Sequence, residues 1–340
     1  MTDPTGQMAP PAPALSCITT MFNEGELIRC SLDSILTQSF ADFEILLVDD
    51  GASEETRQIA QGYDDPRIRH IRQANDGVSS ARNRALSLNR ARYVSFLDGD
   101  DQRPAWAFAQ IAALLEEKPD LVLCKGYLKE IRDELRDFYD ADVFDRILAA
   151  SAGARVVTRS HPAFDRILGY ALLVEPQPAN KAISTDLLRR SGAHFPAGLF
   201  FEDPLFHMLV VCSSESIAFN TAPSFVYYRR YGRPQTTATT GQTRFDAISV
   251  AAMMFELFQH TRHFHKPFVR ACLVYATFKL VHWCEDMVSH ADRYHFRQAV
   301  VAMWRQVHPL LKSAVQTPEA AQIRDEFHWA RNLQAYLNKL

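Results

Sequence analysis

The residues with the clearest chemical potential are the four at positions 98–101, Asp-Gly-Asp-Asp. They follow an apolar run at 93–97, which predicts a short buried strand. Like charges this close raise one another's pKa, and a divalent cation would relieve the crowding. Magnesium-type cations bind a few carboxylates together with substrate phosphates. The tetrad therefore suggests a metal-bridged diphosphate; the alternative is a solvated acidic turn, because Asp and Gly are common turn residues.

Three more polar segments follow apolar runs in the same way. They are Thr-Met-Phe-Asn-Glu at 20–24, Val-Asp-Asp-Gly-Ala-Ser at 48–53 and Asn-Asp-Gly-Val-Ser-Ser-Ala-Arg-Asn at 75–83. Ligands of open α/β sheets bind in the crevice at the carboxyl ends of the strands. An ordinary βα loop explains each segment alone, but four at one edge favour a binding site.

Individual side chains in these segments suit a phosphorylated nucleotide. Asp50 can accept a hydrogen bond from N3–H of uracil or thymine, or from N1–H and the amino group of guanine. Gly77 allows the backbone to approach a phosphate closely. Arg82 can form a bidentate pair with a carboxylate or a phosphate, a geometry that Lys does not offer.

The elements that must position these residues alternate in type. Predicted strands are 15–20, 43–48, 67–71, 93–97 and 120–125, and predicted helices are 24–38, 53–62, 78–89 and 104–117. This alternation predicts an α/β fold with a parallel sheet and helices on both faces.

The rest of the chain is less regular. Residues 126–178 are interpreted as a variable insertion that includes a helix at 142–150. Helices are predicted at 181–191 and 204–212, short strands at 217–220 and 225–229, and helices from 243 to the end.

Composition narrows the class of protein. The 340 residues contain 37 Lys and Arg against 40 Asp and Glu, so the net charge is −3 and gives no sign of a nucleic-acid partner. The six cysteines are scattered, which favours buried thiols in a reducing compartment. No secretory signal and no apolar run of roughly 18 residues is present, so we expect a cytoplasmic protein.

In this order, the four segments resemble the family 2 glycosyltransferases, GT-A fold enzymes typified by bacterial polysaccharide and capsule transferases. The resemblance covers about 15–125 and resumes at Asn180-Lys181, at 195–203 (Phe-Pro-Ala-Gly-Leu-Phe-Phe-Glu-Asp) and at 225–230 (Phe-Val-Tyr-Tyr-Arg-Arg). Residues 20–23 depart from the family's usual Pro-x-Tyr-Asn, and the helical C-terminal third has no counterpart that we recognise.

The resemblance implies a Rossmann-like GT-A domain with a mixed, mostly parallel sheet, helices on both faces and a helical C-terminal region. We expect a flexible tail at 1–14, a catalytic domain at 15–240 and helices at 241–340. Within the catalytic domain, about 15–125 would be the nucleotide-sugar half and about 126–240 the acceptor half.

The resemblance also implies roles for single residues. Asp98 and Asp100 would hold Mg²⁺ or Mn²⁺ against the donor diphosphate, with Asp101 as a supplement. Asp203, beside Glu202, stands at the position of the catalytic base. The expected donor-binding residues are Asn23, Glu24, Asp50, Asn75, Gly77, Arg82, Asp98, Asp100, Arg229 and Arg230, although the last two could equally be surface arginines.

The implied activity is an inverting, metal-dependent transfer of a sugar from a nucleotide-diphosphate donor to a hydroxyl. UDP is the favoured nucleotide, the acceptor is a saccharide or a lipid-linked saccharide, and the expected setting is cell-surface polysaccharide synthesis. Pro204 suits the first turn of a helix, so we expect Asp203 at the N-cap, where the helix dipole lowers its pKa. The alternative role of Asp203 is that cap alone.

Other classes of protein were considered, and two of them lack the motif that they need. A dinucleotide-dependent oxidoreductase would need GxGxxG after the first strand, and a nucleotidyltransferase would need a Gly-rich basic loop there; neither is present. A non-catalytic sugar-nucleotide-binding scaffold in a biosynthetic complex stays open. Residues 260–282 suit either core packing or peripheral contact with a membrane surface. His260, His263 and His265 suit surface or packing roles better than a metal site.

Overall fold

The computed structural model describes residues 12–130, 134–229 and 239–340. Its main sheet has eight strands in the order β3-β2-β1-β4-β9-β5-β10-β8. A second sheet has the order β11-β6-β7. The strands are β1 Leu15–Met21, β2 Phe43–Asp50, β3 Ile68–Gln73, β4 Tyr93–Phe96, β5 Leu121–Cys124, β6 Tyr127–Lys129, β7 Leu135–Asp137, β8 Val156–Thr158, β9 Lys181–Ser184, β10 Ser216–Asn220 and β11 Val226–Tyr228.

The main sheet is mixed but mostly parallel, as predicted. Neighbouring strands from β3 to β4 pair in parallel, and β5 pairs in parallel with β10. Only β8 and β9 run antiparallel to their partners in this described sheet. The carboxyl ends of β1, β2 and β4 therefore lie side by side.

Helices cover both faces of this sheet. They are α1 Leu27–Leu36, α2 Glu54–Gln61, α3 Val78–Leu88, α4 Ala107–Leu115, α5 Ala141–Ser151, α6 Phe164–Leu173, α7 Thr185–Ser191, α8 Asp203–Ser213, α9 Asp246–Phe258, α10 Pro267–Met287, α11 Arg293–Gln306, α12 Pro309–Ser313, α13 Pro318–Glu326 and α14 His328–Leu337. One buried cluster includes Ile28 of α1 and Phe108 of α4, and the other includes Ala81 of α3 and Phe278 of α10. The two clusters follow from the apolar faces that the sequence pattern predicted.

Local capping accounts for some boundaries. Ser53 is the N-cap of α2, and its hydroxyl accepts a hydrogen bond from Thr56 N at 3.3 Å, as predicted. The predicted helix at 104–117 begins later, at Ala107, so Pro104 lies before the helix.

The prediction of a helix over 181–191 is wrong in its first part. Residues Lys181–Ser184 form β9, and only Thr185–Ser191 are helical. Ala182 lies between Ser95 of β4 and Val122 of β5, so β9 joins the two halves of the sheet. Pairing with strands distant in sequence decides this segment, because four residues have too weak a local preference.

The C-terminal helices pack onto the same buried cluster as the α/β part. Helix α10 packs against α6, and its apolar residues, including Val269, Leu273 and Phe278, are buried. This geometry is what the core-packing alternative for 260–282 expects; peripheral membrane contact stays a prediction. Among the described helices, none combines the length and apolarity needed to cross a bilayer. Five of the six cysteines are buried, and all six are free thiols.

Candidate active site

The acidic tetrad lies directly against the carboxyl end of β1. A Cβ on Gly99 would lie 2.9 Å from the carbonyl oxygen of Thr20 and 3.0 Å from Cγ of Glu24. Any residue larger than glycine would push the backbone carbonyl of Thr20 and the side chain of Glu24 away. Glycine at this position therefore brings Asp98 and Asp100 next to the segment that contains Glu24.

Asp50 is held in place on the nucleotide side of the crevice. Its Oδ1 accepts hydrogen bonds from Nε2 of Gln73 at 2.8 Å and from the backbone N–H of Asp76 at 3.0 Å. Neighbouring Asp49 has another role, because it accepts from Ala52 N at 2.6 Å and pairs with a nearby guanidinium at 2.8 Å. Both of these hydrogen bonds go to Oδ1, so Oδ2 is the candidate atom for the predicted contact of Asp50 with a nucleotide base.

The remaining predicted donor residues line the same edge. Gly77 has φ +86° and is the N-cap of α3, so the exposed N-terminus of α3 suits a phosphate oxygen. Asn23 and Asn75 are exposed, and Glu24 is half-buried. Oε2 of Glu24 accepts a hydrogen bond from Phe22 N at 2.6 Å, which fixes the carboxylate near the end of β1.

Arg82 joins the two sides of the crevice. Its Nη2 donates to Oδ1 of Asp98 at 2.8 Å, and its Nη1 donates to Oε1 of Glu202 and to Oδ1 of Asp203, both at 2.9 Å. The guanidinium is buried and lies over the ring of Phe195, 5.1 Å from its centroid. The predicted metal loop and the predicted base thus share one cation, which the planar, multidentate guanidinium makes possible.

The contacts between Arg82 and the three carboxylates shift the pKa values of the residues involved. Burial alone would lower the pKa of Arg82, but the carboxylates of Asp98, Asp203 and Glu202 raise it above its ordinary value. Partial burial, followed by the nearby charge of Glu202, raises the pKa of Asp203 above its ordinary value, although Arg82 opposes this. One guanidinium does not offset three carboxylates, so Asp203 binds a proton more tightly than a free Asp does.

The structure corrects the expected position of Asp203. It is the first residue of α8 and Pro204 the second, whereas the N-cap residue is Glu202, whose side chain makes no capping hydrogen bond. The expected lowering of its pKa is also wrong, because burial and Glu202 outweigh the helix dipole. Asp203 instead points to Arg82 across the crevice.

The three carboxylates of the tetrad are not equivalent. Asp98 and Asp100 are half-buried at the crevice. Asp101 is 1% exposed; its Oδ1 accepts from Tyr228 N at 3.0 Å and its Oδ2 from Nε2 of Gln177 at 3.5 Å. These contacts attach β11 to the tetrad and do not support the predicted supplementary metal role of Asp101.

The carboxylate oxygens at the crevice suit a hard divalent cation whose coordination shell is completed by a bound ligand. Asp98 and Asp100 offer carboxylate oxygens, which Mg²⁺ and Mn²⁺ prefer. No cluster of three or more His, Cys, Asp or Glu in the described ranges forms a metal cage, and that includes the three histidines at 260–265. His263 is buried, and burial lowers its pKa to about 4.

Of the two arginines predicted to bind the donor after β11, the structure describes Arg229. Arg229 is exposed, and its Nη1 lies 3.5 Å from Oε1 of Glu130. Arg230 lies outside the described residues. A role for either arginine at the diphosphate stays a prediction.

Sequence reasoning missed the buried Lys181 at the base of the crevice. Its Nζ donates to the carbonyls of Pro176 (3.2 Å) and Gln177 (2.8 Å) and to Oδ1 of Asn180 (2.5 Å). Burial lowers its pKa to about 7, while Asp203 acts in the opposite direction. The Asn180-Lys181 pair was visible as part of the family resemblance, but its partners were not.

Arg103 was also missed, although it follows the tetrad by two positions. Its guanidinium is buried and donates to Ser95 Oγ at 2.6 Å, Phe96 O at 2.7 Å, Ala179 O at 3.4 Å and Ser224 O at 2.8 Å. It therefore fixes the end of β4 against two later loops. A buried arginine after an acidic turn gives no local signal of such distant partners.

The mixed, mostly parallel sheet with helices on both faces has the arrangement of the GT-A fold. Two solved structures align with it over most of this chain. The structure of S. aureus TarS 1–349 in complex with UDP-GlcNAc aligns over 89% of this chain and 91% of its own, with TM-score 0.62 and 19% identity. The mannosyltransferase PcManGT from Pyrobaculum calidifontis, in complex with GDP-Man and Mn²⁺, aligns over 96% and 85%, with TM-score 0.53 and 19% identity.

Sequence comparison finds a family match in the N-terminal part of the chain. Residues 16–159 match the model described as Glycosyl transferase family 2. The uncharacterized glycosyltransferase EpsJ of Bacillus subtilis is 40% identical over 124 residues, which span 36% of this chain and 36% of EpsJ. The match thus covers only about a third of that relative. Residues 16–159 are therefore a segment of the glycosyl transferase family 2 type, as the motifs predicted.

Proposed function

We propose that this protein is an inverting, divalent-metal-dependent glycosyltransferase that moves a sugar from a nucleotide-diphosphate donor to an acceptor hydroxyl. The observation on which the proposal depends most is the contact of Arg82 with Asp98 on one side and with Glu202 and Asp203 on the other. This contact supports a diphosphate-binding role for the tetrad, with a candidate base beside it.

Asp50, Glu24 and the N-terminus of α3 would bind the nucleotide and its phosphates. Asp98 and Asp100 would hold Mn²⁺ or Mg²⁺, which as a Lewis acid stabilises the charge of the departing diphosphate. The complex of PcManGT with GDP-Man and Mn²⁺ supports a divalent cation in this fold. The buried Arg82 orients Asp98 and adds fixed positive charge to the same region.

Asp203 suits the base better than Glu202. Its side chain is 28% exposed, against 11% for Glu202, so an acceptor reaches it more easily. A pKa raised toward the operating pH makes its carboxylate a stronger proton acceptor once it is ionised. Arg82 stabilises that ionised form, and Glu202 is bound to the same guanidinium as a positioning residue.

The reaction would then be a single displacement. Asp203 accepts the proton of the acceptor hydroxyl, whose oxygen forms the new bond to the anomeric carbon as the bond to the diphosphate breaks. A base on the face opposite the leaving group implies inversion at that carbon.

The donor is proposed to be a nucleotide-diphosphate sugar with UDP as the favoured nucleotide, since TarS was solved in complex with UDP-GlcNAc. The proposed acceptor is a saccharide or a lipid-linked saccharide in cell-surface polysaccharide synthesis, as the family resemblance implies.

Nucleoside-diphosphate release tests the proposal. Wild-type protein and Asp203→Asn are incubated with UDP-, GDP- and dTDP-sugars and Mn²⁺, and donor binding is measured in parallel by calorimetry. If the protein is the proposed enzyme, the wild type should release nucleoside diphosphate. Asp203→Asn should release it at least ~10²-fold more slowly, as expected for loss of a general base, while its affinity for the sugar donor stays unchanged. Equal release by both proteins removes Asp203 from the mechanism, and binding without release by the wild type favours the non-catalytic scaffold.

A further inference from the structure

The loop that precedes Asp203 is held from two sides. This α7–α8 loop comprises residues 192–202, and Asp203 follows it directly. Its first half is bound by Asn83 of α3, which donates to the carbonyl of Phe195 at 2.8 Å and accepts from its N–H at 2.9 Å. Its second half contacts the helical C-terminal region, which lies outside the matched family segment.

The backbone of Phe201 is in an unfavourable conformation. It has φ +63°, in the left-handed region that a residue with a Cβ seldom occupies. Such a conformation persists only where the surroundings enforce it, and it is common at functional sites. Phe201 is separated from Asp203 by one residue, so whatever holds Phe201 also sets the start of α8.

Arg244 and Trp283 enclose the ring of Phe201. The rings of Phe201 and Trp283 meet edge-to-face, with centroids 5.7 Å apart and an interplanar angle of 85°. The guanidinium of Arg244 lies 4.2 Å from the centroid of Trp283 and 5.2 Å from that of Phe201. Arg244 is fully buried, and its Nε donates to the carbonyl of Thr239 at 2.7 Å. Trp283 is 37% exposed, so the cation in this contact is buried while one of its aromatic partners is partly exposed; cation–aromatic contacts stabilise more as they become desolvated.

A hydrogen bond continues the same contact surface. The backbone N–H of Phe200 donates to Oδ2 of Asp246 at 3.0 Å, at the start of α9. Three elements of the C-terminal region therefore reach one short stretch of the loop: the turn at Arg244, the start of α9 and the side chain of Trp283 on α10.

We propose that Arg244 is a positioning residue for Asp203: together with Trp283 and Asp246 it holds Phe200 and Phe201 in the one backbone conformation that directs Asp203 toward Arg82. The role of Asp203 as base rests on the proposed function, whereas the clamp on the loop does not. The helical C-terminal region thereby forms part of the acceptor side of the site.

Hydrogen–deuterium exchange of peptides covering 198–206 tests the clamp without any substrate. We expect Arg244→Met and Trp283→Ala to speed exchange in these peptides by ~10-fold or more, because local opening becomes easier, while β1 to β4 remain protected. Arg244→Lys keeps the charge but loses the planar stacking, so it should recover only part of the protection.

A matched control is available in the same region. Arg297 lies 4.2 Å from the ring centroid of Tyr336 and pairs with Glu285, outside the contacts that hold the α7–α8 loop. Arg297→Met should leave exchange in 198–206 unchanged. If Arg244→Met fails to fold, Phe201→Gly replaces it, because this change removes the ring and the backbone strain together; faster exchange confined to 198–206 supports the clamp.

Kinetics then separate the two proposals. With the donor identified, Arg244→Met should lower kcat by ~10- to 100-fold, as for a displaced catalytic group, with donor KM and calorimetric affinity for UDP with Mn²⁺ unchanged. Exchange at 198–206 equal to wild type in both Arg244→Met and Phe201→Gly overturns the clamp. A clamp present in exchange but no turnover of any donor by the wild type contradicts the proposed function alone.

Discussion

Oδ1 of Asp203 lies 2.9 Å from Nη1 of Arg82, although the two residues are 121 positions apart along the chain. The other terminal nitrogen of the same guanidinium binds Asp98 at 2.8 Å. The start of α8 and the acidic tetrad are thus connected through a single buried cation, and any change in one is expected to affect the other.

Replacing Arg82 should affect both folding and activity. Arg82→Met leaves three carboxylates without their cation, so we expect the free energy of unfolding to fall by about 3–5 kcal/mol. Arg82→Lys should be less destabilising but should lower turnover by ~10²-fold, because an ammonium does not reproduce the fork geometry. Denaturant unfolding and nucleoside-diphosphate release measure the two effects.

The control for Arg82 is Arg189→Met, which breaks an exposed pair with Asp186 at 3.0 Å. It should cost about 1 kcal/mol or less. If Arg82→Met is no more destabilising than Arg189→Met, the buried cluster does not have the energetic importance assigned to it.

Asp101→Asn should show whether the carboxylate of Asp101 has a structural role or binds the metal. Because Asp101 is buried against Tyr228 N and Gln177, we expect a loss of about 1 kcal/mol of stability. Affinity for UDP with Mn²⁺ should remain close to that of the wild type, whereas Asp100→Asn should lose it. A similar loss of affinity in both variants would restore Asp101 as a ligand.

Gly99→Ala tests the close approach of the tetrad to β1. The added methyl group would lie 2.9 Å from the backbone carbonyl of Thr20, so the backbone must move. We expect destabilisation of about 1–3 kcal/mol and weaker nucleotide binding, measured by thermal unfolding and calorimetry. A methyl group added at Gly241 would meet no described atom within 4 Å, so Gly241→Ala should leave both unchanged.

Asp140 gives a pH dependence of stability. It is buried, and burial followed by the charge of Glu175 raises its pKa to about 7. The folded chain keeps a proton that the unfolded chain loses, so this contribution favours folding at low pH and is lost as pH rises from about 4 to about 7. At pH 8 the ionised group should cost roughly 4 kcal/mol.

Asp140→Asn should therefore stabilise the protein at pH 8 and have little effect at pH 4, because the amide oxygen can still accept the hydrogen bond from Glu175 N. Urea unfolding at several pH values measures this. Asp145→Asn, an exposed change on the same helix, is the control. A stability difference for Asp140→Asn that does not vary with pH contradicts the assignment.

Local patterns in the sequence were sufficient to predict most of the fold of residues 15–125. The strand–helix alternation from residue 15 to 125 and the four polar segments at strand ends depend on neighbouring residues, and their placement at one edge follows from parallel pairing. The strand at Lys181–Ser184 could not be predicted in this way, since its pairing with β4 and β5 decides its conformation.

The site itself depended on contacts across the chain. The sequence indicated that Arg82 suits a carboxylate or phosphate, but which carboxylates surround it depends on how α8 packs beside α3. The pKa of Asp203 was expected to fall because the helix dipole is a local effect. The charge of the adjacent Glu202 was visible in the sequence, but burial, the larger cause of the raised pKa, is a tertiary effect. The clamp at Phe201 likewise required the C-terminal helices.

Calorimetry of UDP binding in the presence and absence of Mn²⁺ tests the central claim most directly. If Asp98 and Asp100 hold a divalent cation against the diphosphate, UDP should bind with measurable heat in saturating Mn²⁺ and much more weakly in EDTA. An absence of heat for UDP, GDP and dTDP in saturating Mn²⁺, or equal affinity with and without the metal, would contradict it.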